Sequence, residues 1–384
     1  MPSRFSITIV LTILAALHAW IGWQLLPALS PDAGWIAVGA LLLLVSVILI
    51  PTAMLAPYLK KQGMPERRAD RLAWAGMLAM GAFSSLLLLT LLRMILLWLV
   101  PLFELAPLQA MHLAEVSAWM VLTLATAATV IGFLNARRLA AVVEVQVPIK
   151  GLPVELEDFT IVQISDIHVG PTIKRSYLQA IVDRVNGLNA DVVAITGDLV
   201  DGSVLQLAAH TAPLAQLQAR HGAYFVTGNH EYYSNAPEWI AEVRRLGLTV
   251  LMNEHVVLNH GGADLVLAGV TDYTAHHFDM AQKSDPQAAI KDAPGGSPKI
   301  LLAHQPRSAS AAEAAGFDLQ LSGHTHGGQF FPWSLFVPLQ QPYVAGLNRL
   351  KNLWIYTSRG TGYWGPPKRL LAPSEITRLR LVRG

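Results

Sequence analysis

Four stretches of the chain contain no Asp, Glu, Lys or Arg: residues 5–31, 33–59, 72–92 and 116–136. Each is longer than the roughly 20 residues an α-helix needs to cross the hydrocarbon core of a bilayer. A buried helix of a soluble bundle would alternate apolar and polar faces, whereas runs such as Leu41–Leu44 and Leu86–Leu89 are apolar all round. The pattern predicts four membrane-spanning helices, with Pro27 and Pro51 ending or kinking theirs. Leu17-His18-Ala19 is a poor small-residue cleavage site, so the first stretch is expected to stay as a helix. From about residue 150 the pattern changes to short β-branched runs separated by helical stretches. Strands are expected at 159–164, 192–195, 224–226, 265–268, 300–303, 319–321, 353–356 and 376–381, and helices at 177–188, 205–218 and 237–246. The expected organisation is a four-helix transmembrane domain over 1–138, a linker over 139–154, and an α/β domain over 155–384.

Charge sharpens this division. The 384 residues carry 28 Lys+Arg and 26 Asp+Glu, a share of 14%, against roughly 25% in an ordinary soluble domain. Only 12 of these charges fall in residues 1–135, and the remainder is evenly split between acid and base. A wholly soluble protein, a disordered chain and a nucleic-acid binder built on a basic field are thereby excluded. With no cysteine, so are a disulfide scaffold, a thiolate metal site and a Cys nucleophile. The loop from Lys60 to Arg71 holds five basic residues, and Arg137 and Arg138 follow the fourth stretch. The other two loops offer Asp32, Glu104 and Glu115. The positive-inside rule then places the N-terminus, the middle loop and everything beyond 136 on the cytoplasmic side of a multi-pass inner (cytoplasmic) membrane protein. Arg93, the one charge near a span, is expected to snorkel to the far interface.

The chemistry stands just after five of the expected strands. Asp166-Ile-His168 follows the first, Gly197-Asp198 the second, and Gly228-Asn229-His230-Glu231 the third; the strand at 300–303 ends in His304, and Gly323-His324-Thr325-His326 follows the next. Ligands in α/β folds gather beyond the carboxyl ends of strands, so these five clusters can meet at one site. Carboxylate and amide oxygens with imidazoles, and no sulfur, suit Mn, Fe, Zn or Mg. The glycines before Asp198, Asn229 and His324 are expected to let the backbone turn sharply. His210, His221, His255, His260, His276 and His277 match no such pattern.

In this order, Asp-x-His, Gly-Asp, Gly-Asn-His-Glu, His and Gly-His-Thr-His resemble the calcineurin-like metallophosphoesterase family over about residues 155–384. The stretches at 197–202, 228–233, 324–329 and 358–360 resemble its membrane-associated bacterial branch, which includes phosphohydrolases and proteins similar to UDP-2,3-diacylglucosamine pyrophosphatases. The resemblance implies two β-sheets flanked by helices and two divalent metal ions, with Mn the expected pair. It implies Asp166, His168 and His326 at the first ion, Asn229, His304 and His324 at the second, Asp198 bridging them, and His230 as general acid. A carboxylate's two oxygens make Asp198 a natural bridge. Glu231 and Asp201 are expected to support the ligands from behind. The implied activity is hydrolysis of a phosphoester or pyrophosphate bond by metal-activated hydroxide, on a lipid-linked or nucleotide substrate, with membrane lipids as neighbours and no nucleic acid as partner. The rival is a membrane sensor or transporter with a regulatory phosphoesterase-like binding domain. The basic and aromatic stretch from Arg359 to Arg369 is expected to meet phosphate through Arg359, Lys368 and Arg369, and headgroups through Tyr363 and Trp364.

Overall fold

The computed structural model describes residues 4–103 and 106–384; Glu104, counted above in a polar loop, lies outside them. The chain divides into two compact units, residues 1–134 with 365–368, and residues 135–364 with 369–384.

In the first unit the charge-free stretches fold as α1 (Arg4–Leu29), α2 (Ala33–Leu49), α3 (Thr52–Lys61), α4 (Glu66–Leu99) and α5 (Pro107–Arg137). Asp32 caps α2 by accepting from the N–H groups of Gly34 and Trp35. Among the described residues, three helices are long and apolar enough to cross a membrane. The second stretch breaks at Pro51 into α2 and α3, bent by 43°, and makes a fourth crossing only if that pair is one span. Pro27 leaves α1 unbroken and precedes its end by two residues. Arg93 does not snorkel. It is 5% exposed and donates to Ser117 Oγ (3.0 Å), Gln24 O (2.9 Å) and Ala114 O (2.9 Å), so its guanidinium ties α1, α4 and α5 together. His18 stacks on Phe83 at 4.3 Å and reaches Ser46 Oγ at 3.0 Å, a packing role. Lys368, in the segment assigned to this unit, is buried and donates to Gly81 O (2.9 Å) and Ser85 Oγ (2.5 Å).

The second unit holds two six-stranded mixed sheets. The first runs β1 (Ala141–Ile149), β12 (Glu375–Arg383), β2 (Thr160–Ile164), β3 (Val192–Ile195), β4 (Ala223–Phe225), β5 (Thr249–Val250). The second runs β10 (Gly346–Leu350), β11 (Leu353–Thr357), β9 (Leu319–Ser322), β8 (Lys299–Leu302), β7 (Ala263–Gly269), β6 (Glu254–His260). Strand alternation explains the layering. Ile161, Val192 and Ala194 point inward from the first sheet and meet Leu265, Ile300, Leu302 and Leu321 of the second in one buried core. Their neighbours Val162, Ile164, Val193 and Ile195 point outward and are covered by α6 (Arg175–Asn186), α7 (Val204–Thr211) and α9 (Ala236–Arg245). Leu301 and Ile355 do the same for the second sheet, under α10 (Pro286–Ala289) and α11 (Ala309–Ala315). A short helix, α8 (Asn229–Tyr233), follows β4.

All eight expected strands form. The helix expected over 205–218 stops at Thr211, and Pro213 turns the remainder into a 3₁₀ stretch. Residues 141–149, read above as linker, form β1, paired in parallel with β12 from Ala141–Glu375 to Ile149–Arg383. Val143, Val145 and Val147 alternate there with Glu144 and Gln146, the pattern of a half-buried strand.

Trp239 on α9 is fully buried and donates from Nε1 to Gly202 O at 2.8 Å. Trp239→Ala is expected to destabilise the protein by about 3–5 kcal/mol through the cavity it leaves. The midpoint of denaturant unfolding, followed by near-UV dichroism on full-length protein in detergent, measures it.

Candidate metal centre

The parallel strands β2, β3, β4, β8 and β9 end on one side of the sandwich, and each hands a polar cluster to the same place. Asp166 and His168 follow β2, Asp198 follows β3, Asn229 opens α8 after β4, His304 follows β8, and His324 and His326 follow β9. All seven are buried or nearly so. Five of them, Asp166, His168, Asp198, His324 and His326, have positive φ between 50° and 70°. Non-glycine residues rarely adopt that conformation, and its concentration here marks a functional site.

The donor atoms form two adjacent clusters, Asp166–His168–His326 and Asp198–His304–His324, and a third, His168–Asp198–His230, overlaps both. In the first, His168 Nε2 and His326 Nε2 are 3.1 Å apart, and His326 Nε2 is 3.5 Å from Asp166 Oδ1. In the second, His304 Nε2 is 3.1 Å from Asp198 Oδ2 and 3.2 Å from His324 Nδ1. The clusters meet at Asp198. Its Oδ2 lies 3.9 Å from both His168 Nε2 and His230 Nε2, while its Oδ1 accepts the His230 backbone N–H at 2.8 Å. One oxygen of Asp198 therefore faces both clusters, and the other is committed to the backbone.

The donor set fits divalent metal ions on three further observations. Asn229 Oδ1 is buried with no hydrogen-bond partner, a costly arrangement unless something binds it. His304 Nδ1 donates to Thr196 O at 2.7 Å, which leaves the lone pair on Nε2, the atom facing the cluster. His168 Nδ1 donates to Asp201 Oδ1 at 3.2 Å to the same effect. Ligating histidines are commonly held by a carboxylate or carbonyl on the remote nitrogen in this way.

Two of the glycines act differently from expectation. Gly197 does turn the chain, at φ +87°. Gly228 and Gly323 instead provide room: a Cβ at Gly228 would collide with the Asp198 carboxylate, and one at Gly323 with the carboxylate of Asp166. Glu231 accepts the backbone N–H groups of Asp198, Leu199 and Gly228 at 3.0, 2.8 and 2.6 Å, locking the β3 and β4 loops to each other.

His230 presents Nε2 to the site and donates from Nδ1 to Asp201 Oδ1 at 2.5 Å. Burial lowers its pKa, but the Asp201 hydrogen bond and the charges of Asp198 and Asp201 outweigh that and hold it up to about 9. Burial conversely raises Asp201, while His168 and His230 hold it down to about 2. His324 is pushed down to about 3, by burial and then by the nearby His304, as a lone-pair donor requires.

The stretch 359–369 departs from expectation. Tyr363 is 1% exposed and Arg369 is fully buried. Arg369 donates to His326 Nδ1 (3.0 Å), His326 O (2.9 Å), Arg359 O (2.7 Å) and Gly362 O (2.5 Å), so it orients a cluster histidine and meets no headgroup. Arg359 is half-buried and paired with Glu375 at 2.8 Å. Of the two aromatic residues only Trp364 is exposed. Nothing in the local sequence distinguished Arg369 from a surface cation; its carbonyl partners come from turns up to 43 residues away.

With this geometry in view, the sequence profile of the calcineurin-like phosphoesterase family matches residues 159–328. A bovine (Bos taurus) "transmembrane protein with metallophosphoesterase domain" is 41% identical over 273 residues, covering 67% of this chain and 60% of the relative. The Danio rerio protein of the same description is 39% identical, covering 68% and 62%. An "uncharacterized metallophosphoesterase" of Aquifex aeolicus is 33% identical over 222 residues, 57% of this chain and 83% of that protein. The chain thus spans only about three-fifths of the bovine and fish relatives.

Purified full-length protein is expected to hold about two divalent ions per chain, as dinuclear hydrolytic sites do. His304→Ala is expected to retain about one, and Asp198→Ala or Gly228→Val fewer than one, by plasma mass spectrometry after equilibrium dialysis against Mn²⁺.

Proposed function

Because the chain belongs to the calcineurin-like phosphoesterase family, we propose that it is a membrane-anchored, metal-dependent phosphohydrolase that cleaves a phosphoester or pyrophosphate bond. The observation that carries this reading is the convergence of two metal-ligand clusters on Asp198 Oδ2, with His230 Nε2 beside them. The roles follow the donor atoms: Asp166, His168 and His326 at one ion, Asn229, His304 and His324 at the other, and Asp198 between. Two divalent cations there, Mn²⁺ being our choice for this oxygen and imidazole set, would supply a nucleophilic water near neutral pH and bind phosphoryl oxygens.

The remaining steps belong to the protein. Asp201 anchors His230 through Nδ1 and leaves its Nε2–H directed into the site. From there it protonates the leaving oxygen, which a poor leaving group requires. No side-chain nucleophile is needed. Glu231 and Arg369 hold ligand loops and rings in place. The completeness of the ligand set favours turnover over the sensor or transporter reading. Arg93, fully engaged with Ser117 and two helix carbonyls, is a brace and offers no solute path.

The apolar helices and the transmembrane relatives support an anchor in the lipid bilayer. The basic loop from Lys60 to Arg71, with Arg137 and Arg138, favours a catalytic unit on the cytoplasmic face. A lipid-linked or nucleotide phosphate is the substrate class we favour, on the membrane anchor and the resemblance of the motifs to membrane-associated phosphohydrolases.

Hydrolysis of an aryl phosphate by the Mn²⁺-loaded full-length protein tests the reading. Asp198→Ala and His304→Ala preparations with native unfolding midpoints are expected to lose at least about 10²–10³-fold in kcat/KM; turnover equal to the parent would remove the site from the reaction. His230→Ala is expected to cost about 10²–10⁴-fold with a poor alkyl leaving group, and much less with 4-nitrophenolate.

The pH profile tests the Asp201 contact separately. The active form carries a proton on His230, so activity falls as pH rises through its pKa. Asp201→Asn removes the charge, and weakens the hydrogen bond, that raise this pKa, and is expected to move the alkaline limb of kcat/KM to lower pH. An unmoved limb would exclude His230 as the group titrated.

A further inference from the structure

We propose that Tyr233, Phe278 and Trp364 form a subsite for a planar aromatic ring on the leaving group of the substrate. The inference rests on the hydrolase reading with His230 as proton donor, because the donor's position marks the leaving-group side.

Around the His230 ring stand two aromatic side chains, Tyr233 at 5.2 Å and Trp364 at 5.5 Å between ring centres, tilted from it by 67° and 73°. Phe278 extends the arc, 5.8 Å from Tyr233. All three are more than half exposed: 63%, 53% and 54% for Tyr233, Phe278 and Trp364. Single exposed apolar residues are ordinary, but three clustered at a reaction centre are not.

Their placement is built. Tyr233 lies three residues after His230 on α8, on the same face of the helix. Trp364 has its backbone clamped by the buried Gln329, whose Nε2 donates to Trp364 O and whose Oε1 accepts from Trp364 N, both at 2.8 Å. Gln329 itself follows the ligand His326 by three residues, at φ +54°. The loop that carries His326 therefore also fixes the backbone from which an exposed indole projects. Phe278 ends a 3₁₀ turn closed by its N–H to Ala275 O at 2.9 Å, and packs on Tyr232, whose hydroxyl donates to Gln282 Oε1 at 2.7 Å.

Rings held in this way present flat faces and edges at the distances at which aromatic groups stack or meet edge to face. A planar ring gains from that geometry beyond the area it buries. A flexible aliphatic chain gains from area alone. The structure therefore favours substrates in which the oxygen protonated by His230 is borne by a group with a flat ring, such as an aryl group or nucleobase.

Equilibrium binding separates this proposal from turnover. Metal-loaded full-length protein in detergent is titrated calorimetrically with phenylphosphonate and methylphosphonate, neither of which is an ester. The parent is expected to bind the phenyl compound about tenfold more tightly. In Trp364→Leu and Tyr233→Leu, which keep apolar bulk without a ring, that ratio is expected to fall to about twofold or less. Equal affinities in the parent would overturn the subsite, and that comparison needs no variant. A ratio preserved in both leucine variants, with metal content intact, would mean that apolar area suffices and would overturn the planar assignment. Binding of neither phosphonate would defeat the hydrolase reading itself, and the subsite with it.

Discussion

One carboxylate oxygen sets the terms for the two-sheet unit. Asp198 Oδ2 is buried and lies within 3.1–3.9 Å of the Nε2 atoms of His168, His230 and His304. A buried carboxylate without compensation costs several kcal/mol, so its surroundings are organised to offset that cost while leaving Oδ2 free. Oδ1 is occupied by the His230 N–H, and Glu231 fixes the Asp198 backbone. Gly228 gives the carboxylate its space. A change at any of these positions acts on the shared oxygen.

Holding such a centre requires a rigid frame. Left-handed backbone at Asp166, His168, Asp198, His324 and His326 costs on the order of 1–3 kcal/mol each. The sandwich offsets this by anchoring every ligand loop at the end of a strand buried on both faces. Hence β2, β3, β8 and β9 are mostly apolar, with Thr160, Gln163, Gln320 and Ser322 as buried polar exceptions and Lys299 at the start of β8 partly exposed. Gln163 donates to Thr196 Oγ1 and Ser322 O, linking the first sheet to the second just below the ligands.

Around this centre, charge is placed by role. Asp201 ties His168 and His230 to one carboxylate, so a cluster histidine and the proposed proton donor share an anchor. Arg369 donates to Nδ1 of His326, where a carboxylate or carbonyl acceptor would be usual, so a neutral His326 carries its proton on Nε2 and must release it to ligate through that atom. In the helical unit, the Arg93 guanidinium donates to a hydroxyl and two helix carbonyls, partners that offset part of the cost of burying an intramembrane cation.

The sequence by itself determined what local chemistry and periodicity can express. Charge-free runs dictated membrane-length helices, because a bilayer tolerates little else. Apolar runs dictated the strands at the core of both sheets, and Asp166, His168, Asp198, Asn229, His230, His304, His324 and His326 stood out because few side chains suit such ligation. Tertiary structure alone decided which atoms meet. It paired β1 with β12 across more than 200 residues, and it aimed one oxygen of Asp198 at the two clusters while the other accepts a backbone N–H. It also took Tyr363 and Arg369 from an expected surface into the interior. The physical reason is that burial and hydrogen-bond partnership are properties of distant neighbours: the fate of Arg369 depended on carbonyls at 326, 359 and 362 that no window around residue 369 contains.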